Sequence, residues 1–344
     1  MKGGPATIKD IAKSLGISFS TVSRALRNHP DVNKETREAV QKLADKLNYS
    51  PNVLALNFKT NKTNTLGVII PGFIIHFYAS AISGIQNEAA RAGYNVIICQ
   101  SDESYETEKK NIEVLLKSRV DGFIVSVSKN TGDYEHFKQL EKKGRPLVFF
   151  NRVCPDIDAS KVVVDDYRGA YKAVEHLIEE GCTRIAHIAG PPNLIICKNR
   201  LNGYLDALKQ HNFPIDESLI VECDFSLEQG KEATLTLLKG NRPDGIFVVN
   251  DGAAFGCMQA LKEQQVAIPA EIAVVGFTNE PLCDLIEPSL TTVSQPTYEI
   301  GQVAAQLLLQ QIQGGIEEFA PQTQVLDAEL IIRNSSRKKT TPAD

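Results

Sequence analysis

The sequence predicts a small all-α head, a short hinge segment, and a two-lobed α/β body with parallel sheets. Three observations carry this. The 344 residues are too many for one ordinary core. Residues 1 to 62 hold eleven Lys/Arg against five Asp/Glu, +6, while the remainder holds 26 against 37, −11, so a basic head precedes an acidic body. From Thr65 onward, apolar β-branched runs alternate with helical patterns in two successive rounds.

The head begins at Thr7, a helix cap, followed by Ile8, Ile11, Ala12 and Leu15 as one apolar stripe. Gly16 ends this helix by supplying the left-handed conformation of a tight turn. Ile17 is the expected buried turn residue, and Ser18 caps a second helix, FSTVSRAL, with Val22, Ala25 and Leu26 inward. Small residues at this spacing let two helices cross at about 90 to 120°, the geometry of a helix-turn-helix. Phe19, Ser20, Ser23 and Arg24 then face outward near the end that enters a major groove. Arg24 suits bidentate contact with guanine, and the hydroxyls suit phosphates or base edges. A third helix starts after Asn33, with Val40, Leu43, Ala44 and Leu47 closing the core. A protein-binding three-helix bundle is the plainer alternative.

The hinge spans 51–64. Pro51 sits where a helix would begin, and Val53 to Phe58 make about two turns, too short to be stable alone in water. An ordinary linker is the alternative here.

In the body, strands are expected from residues 66, 95, 121, 146 and 161, then from 184, 219, 244 and 272. Runs apolar on both faces imply parallel strands covered by helices. A helix at 297–313 and a last strand near 325–332 come too late for the second round alone, so the chain recrosses between lobes. The expected lobes are about 65–163 plus 293–323, and 164–292 plus 324–335, with 336–344 a polar tail. Ligands of such sheets bind beyond the strands' carboxyl ends, here inside the cleft. The candidates are His76, Phe77, Tyr78, Asp102, Arg152, Phe225, Asn250, Asp251, Phe277 and Asn279, with Arg200 from the start of the next helical segment. Rings beside a carboxylate, amides and arginine suit a polyhydroxylated ligand, a sugar first of all. For any one of these residues a loop or core role is the competing reading.

Other chemistry finds little support. Seven scattered cysteines with no C-x-x-C pair read as small buried residues in a reducing compartment, and six dispersed histidines suggest no metal site. Dinucleotide, P-loop, nucleophile-elbow and H-E-x-x-H motifs are absent, so neither catalytic residue nor cofactor is expected. Asp165 and Asp166 are adjacent on a strand end and point to opposite sides. The richest apolar run, Leu66 to Ile75, is broken by Pro71 and Gly72 and falls short of the roughly 18 residues of a membrane span. The start lacks a signal-peptide core, so a cytoplasmic protein is expected.

The runs ATIKDIAKSLGISFSTVSRALRN and NKETREAVQKLADKLNYSPN resemble the head of the lactose/galactose repressor (LacI/GalR) family. The likeness continues through VDDYRGAYKAVEHLIEEGCTRIAHIAGP, RLNGYLDAL, VVNDGAAFGCMQALKEQ and IPAEIAVVGFTNEPLCDLIEPSLTTVSQP. It implies a type I periplasmic-binding-protein-like body and a homodimer on a pseudo-palindromic DNA operator, controlled by a small effector. The hinge would order on DNA and wedge an apolar side chain into the minor groove. DNA contacts would come from Thr7, Ser18, Phe19, Ser20, Thr21, Ser23 and Arg24, and from Asn52, Leu54, Ala55 and Phe58, with Phe58 in place of the family's wedge leucine. The effector arginine falls on Arg200, the acceptor carboxylate on Asp251 and the stacking ring on Phe225. Leu194, Ile195 and Ile196 disfavour a purine, and Thr278-Asn279 stands where the family has two aspartates. The polar end after Arg333 suits a dimer rather than a coiled-coil tetramer. A solute-binding protein, an enzyme with an accessory head, and a regulator controlled by a phosphocarrier protein are the rivals.

Overall fold

In a computed structural model, which describes residues 6–49, 62–73, 76–314 and 319–338, the chain divides into two compact units, 1–63 and 64–344. The first holds helices α1 (Ile8–Leu15), α2 (Phe19–Leu26) and α3 (Lys34–Lys46). The Asp10 carboxylate reaches back to accept from the Thr7 amide at 2.8 Å and hydroxyl at 2.7 Å. Gly16 adopts φ +63°, so α1 stops where a side chain would be strained. Ser18 and Asn33 accept from the amides of Thr21 and Thr36, three residues on. Ile11, Ala12, Val22, Ala25, Val32, Val40 and Ala44 form the core. Ile17 is only half-buried. Leu47 is exposed instead of closing that core, because α3 ends one residue earlier and Tyr49 packs there instead.

The second unit contains two six-stranded sheets. The first comprises β1 (Thr65–Ile70), β2 (Asn95–Gln100), β3 (Gly122–Val125), β4 (Leu147–Phe150), β5 (Ser160–Val164) and β11 (Thr323–Leu326), in the order β11-β5-β4-β3-β1-β2. The second comprises β6 (Ile185–Ala189), β7 (Ile220–Glu222), β8 (Gly245–Val248), β9 (Ala273–Thr278), β10 (Thr291–Ser294) and β12 (Glu329–Ile331), in the order β12-β10-β9-β8-β6-β7. Paired strands run parallel except β10 with β12. Central strands are buried on both faces, between the helices α4 (His76–Arg91), α5 (Tyr105–Lys117) and α6 (Glu135–Lys142) of the first lobe and α7 (Asp166–Glu179), α8 (Ile195–Gln210), α9 (Leu227–Lys239) and α10 (Asp251–Glu263) of the second.

Helix α11 (Thr297–Gly314) returns to the first lobe and packs on α4. The two backbones touch: a Cβ on Gly301 would lie 1.9 Å from the Ala81 carbonyl oxygen, and one on Gly84 2.1 Å from that of Tyr298. The single strand expected near 325–332 is two short strands, one in each sheet. The chain accordingly crosses after Ser294 and after Leu326, slightly later than expected, and β10 was not foreseen. The polar tail also starts later. Ser335 and Ser336 are buried, Ser336 Oγ bonding His176 Nε2 at 2.8 Å and Thr291 Oγ1 at 2.7 Å, and Lys338 Nζ donates to the Asp244 carbonyl.

Candidate functional site

On the head, Phe19 is 63% exposed, an apolar ring left in solvent at the start of α2. Ser20 and Ser23 are half-buried and Arg24 exposed on the same helix. The Ser18 hydroxyl lies 2.7 Å from that of Ser20 and 2.8 Å from that of Thr21, so three hydroxyls form one cluster at the helix N-terminus. Arg24 Nη1 lies 3.9 Å from Asp31 Oδ2, too solvated a pair to fix the guanidinium. Asn52, Leu54, Ala55 and Phe58 lie outside the described residues.

In the body, Phe77, Tyr78, Asn151, Arg152, Ile196, Arg200, Phe225, Asn250, Thr278 and Gln295 line one cavity at the carboxyl ends of both sheets. Phe77 and Tyr78 occupy the first turn of α4 rather than a loop, and pack edge to face at 5.2 Å. The Tyr78 hydroxyl meets Ser126 Oγ at 3.1 Å and accepts from Asn151 Nδ2 at 3.3 Å. Arg152 is buried; its Nη1 donates to both oxygens of Glu103 at 2.8 Å, and its guanidinium lies 5.0 Å from the Phe225 ring centre, across the cleft. The Asn250 amide caps α10 and donates to the Phe225 carbonyl at 3.1 Å. Phe225 has φ +77°, and Asn151 and Thr278 also have positive φ, at 58° and 132°. For a β-branched residue such as Thr278 this is strained, and strain of this kind gathers at functional sites.

Arg200 belongs to the second turn of α8, not to its start. Its Nε and Nη2 donate to Asp166 Oδ1 at 2.8 and 2.6 Å, its Nη1 to the Val249 carbonyl at 2.6 Å, and its plane lies 3.7 Å from the Phe277 ring centre. Burial pushes the Asp166 carboxyl up, with Arg200 pulling against it. Asp165 instead caps α7 by accepting from the Arg168 amide, so the two neighbouring carboxylates do work separately.

Four expected residues stand elsewhere. Asp251 is fully buried: Oδ1 accepts from Thr292 Oγ1 at 2.6 Å and Oδ2 from the Glu280 amide at 2.8 Å and the Cys283 thiol at 3.3 Å. Burial pushes its carboxyl up despite those donors. Phe277 lies beneath Arg200 in the core. Asn279 bonds Ser294 and Arg333. Asp102 is exposed and bonds Gln100, leaving Glu103 as the carboxylate that meets Arg152. Asn151, Ile196, Thr278 and Gln295 also line the cavity; the family resemblance points to Ile196 and Thr278, whereas Asn151 and Gln295 join the site unforeseen. A left-handed position in a strand-end loop would have been the signal for Asn151, but φ is not written in sequence.

The space this cavity offers is about 50 Å³, well below the roughly 300–1,000 Å³ of ligand clefts. The lobes are also joined at the rim: Lys129 Nζ lies 3.2 Å from Asp224 Oδ2, and Asn193 Nδ2 donates to the Lys129 carbonyl at 2.6 Å. Among the described residues no cluster of three His, Cys, Asp or Glu could hold a metal, and no helix is long and apolar enough to cross a membrane.

A helix-turn-helix unit followed by a two-lobed body with a polar, ring-lined cleft defines a DNA-binding regulator that senses a small molecule. Residues 7–52 match the model of bacterial regulatory proteins of the lacI family, and residues 174–336 that of a periplasmic binding protein-like domain. The HTH-type transcriptional repressor CytR of Escherichia coli strain K12 is 35% identical over 333 residues, 96% of each chain. Among solved structures, the Lac repressor dimer bound to operator and the anti-inducer ONPF matches with TM-score 0.86 and 27% identity, covering 97% of this chain and 99% of that one. The CelR–cellobiose complex matches with TM-score 0.73 and 28% identity, covering 96% and 99%. The chain belongs to the lacI family of bacterial regulatory proteins; it is a transcriptional regulator with a DNA-binding head and an effector-binding body, and not an enzyme.

Proposed function

We propose that the protein is a cytoplasmic, homodimeric repressor whose hold on a pseudo-palindromic operator is set by a sugar bound between the lobes. The observation that carries this reading is the cavity itself, where Phe77, Tyr78 and Phe225 supply apolar faces and Arg152, Arg200, Asn151, Asn250 and Gln295 supply polar edges. Sugar rings have apolar faces and hydrogen-bonding rims, and cellobiose in the related regulator supports the assignment. Support for the dimer comes from the Lac repressor dimer on its operator and from exposed apolar side chains on both lobes, Phe73, Ile97, Leu282 and Leu285. In this reading Phe19, Ser20 and Arg24 read bases, Thr7, Ser18, Thr21 and Ser23 hold the backbone, and Asn52, Leu54, Ala55 and Phe58 serve the minor groove.

A cavity this narrow requires the lobes to part before a sugar enters, so the ligand changes the angle between them. Ligand and operator are then linked by one reciprocal coupling free energy, typically about 1–3 kcal/mol. The test is fluorescence anisotropy of labelled operator, titrated with and without sugars that raise the protein's melting temperature. The expected outcome is a five- to hundredfold change in operator affinity; a sugar that binds tightly and leaves that affinity unchanged refutes the coupling.

A further inference from the structure

We infer that the effector carries an anionic oxygen group, a carboxylate or a phosphate ester, seated against Arg152 and Gln295. The inference rests on the reading of the cavity as a sugar site and concerns which sugars fit it. Two side chains lining the cavity are more than nine-tenths buried and yet hold a donor with no partner: Arg152 Nε and Gln295 Nε2. Buried donors are nearly always satisfied, so two in one cavity call for an acceptor that arrives with the ligand.

The acids around the cavity are already committed. Among the described residues no carboxylate lines it. Glu103 spends both oxygens on a single nitrogen of Arg152 and on the Lys129 amide. Asp166 is taken by Arg200, and Asp251 by Thr292, Glu280 and Cys283. Thr278 stands at the rim with a hydroxyl. A neutral sugar hydroxyl can accept from these donors too, but it brings a donor of its own that must find an acceptor on the wall. A carboxylate or phosphate brings acceptors alone, and charge-assisted bonds from a guanidinium are the strongest available to it. The Phe225 ring, 5.0 Å from the Arg152 guanidinium, sets an apolar face beside that contact.

Calorimetric titration of the full chain tests this with matched series: ribose, glucose and cellobiose, each against its aldonic acid, its uronic acid and its terminal phosphate ester. An anionic member should bind at least about tenfold tighter than its neutral parent, and whether the acids or the esters lead separates carboxylate from phosphate. Arg152→Gln should bring acid and parent within about twofold. Glu103→Gln, which removes the charge competing for the guanidinium, should raise the preference for the acid over its neutral parent several-fold; a gain of this kind is not mimicked by misfolding. A neutral sugar that binds as tightly as every derivative overturns the anionic group while the sugar site stands. Absence of binding across all series overturns both.

Discussion

Replacing Arg200 by methionine keeps the stem of the side chain and strands Asp166. The pair is buried at both ends, with two bonds of 2.8 and 2.6 Å onto one carboxylate oxygen. Removing one partner of such a pair leaves an uncompensated buried charge, costing about 3–5 kcal/mol, whereas replacing both by apolar groups is often neutral. Arg200→Met should therefore lose about 3–5 kcal/mol at pH 7.5, and Arg200→Met with Asp166→Leu should recover most of it. The sign with pH follows from burial, which already pushes the Asp166 carboxyl up while Arg200 pulls it down. Without that pull the carboxyl rises further, so the deficit is full above its raised pKa and shrinks as acidification lets it take a proton. Urea unfolding followed by circular dichroism suits a chain with no tryptophan. A single-variant loss under about 1 kcal/mol, or a double variant that loses the sum of the two singles, would refute the reasoning.

Gly301→Ala should destabilise the first lobe by at least about 1–3 kcal/mol, because its Cβ would press to 1.9 Å on the Ala81 carbonyl and backbone cannot rotate away; an unmoved urea midpoint contradicts this. His187 is sandwiched between Tyr204 and Phe247, and burial pushes its imidazole down to about 4. Its contribution is complete above an unfolded value near 6.5 and is lost as pH falls toward 4, up to roughly 3 kcal/mol, so His187→Phe should flatten stability between pH 7 and 5. Arg24→Ala should cost about 1–3 kcal/mol on a cognate operator and relax preference at one base of each half-site, measured by competition among single-base variants; unchanged discrimination removes it from base reading.

Legibility in the sequence tracked how local each cause is. Gly16, Ser18 and Asn33 were readable because caps and left-handed turns depend on a few neighbouring residues. Strand ends were readable as well, which brought Arg152, Phe225 and Asn250 to the cavity. The choice between adjacent residues was not. Asn250 and Asp251 follow the same strand, yet one caps α10 at the cavity and the other turns inward to hold the 280 segment. Asp102 and Glu103 both take left-handed backbone, and only the second reaches Arg152. Gln295 was missed with β10: the run TTVS is too short and polar to announce a strand, and its place comes from pairing with β9 and β12.

The crossings also limit how the cleft can move. Three connecting segments pass from one lobe to the other, after β5, β10 and β11, and the amide of Asp165 in the first crossing donates to the carbonyl of Leu326 at the third, at 3.1 Å. Tied crossings favour a hinge over a slide. Glu103 sits where the crossing lobes and the proposed ligand site meet, since one carboxylate accepts from Arg152 in the cavity and from the backbone of Lys129, whose ammonium spans the rim to Asp224. A group that competes with Glu103 for Arg152 thus acts on the same loop that clasps the two lobes. The shift it can produce is bounded by its difference in affinity for the clasped and parted forms, however tightly it binds either one.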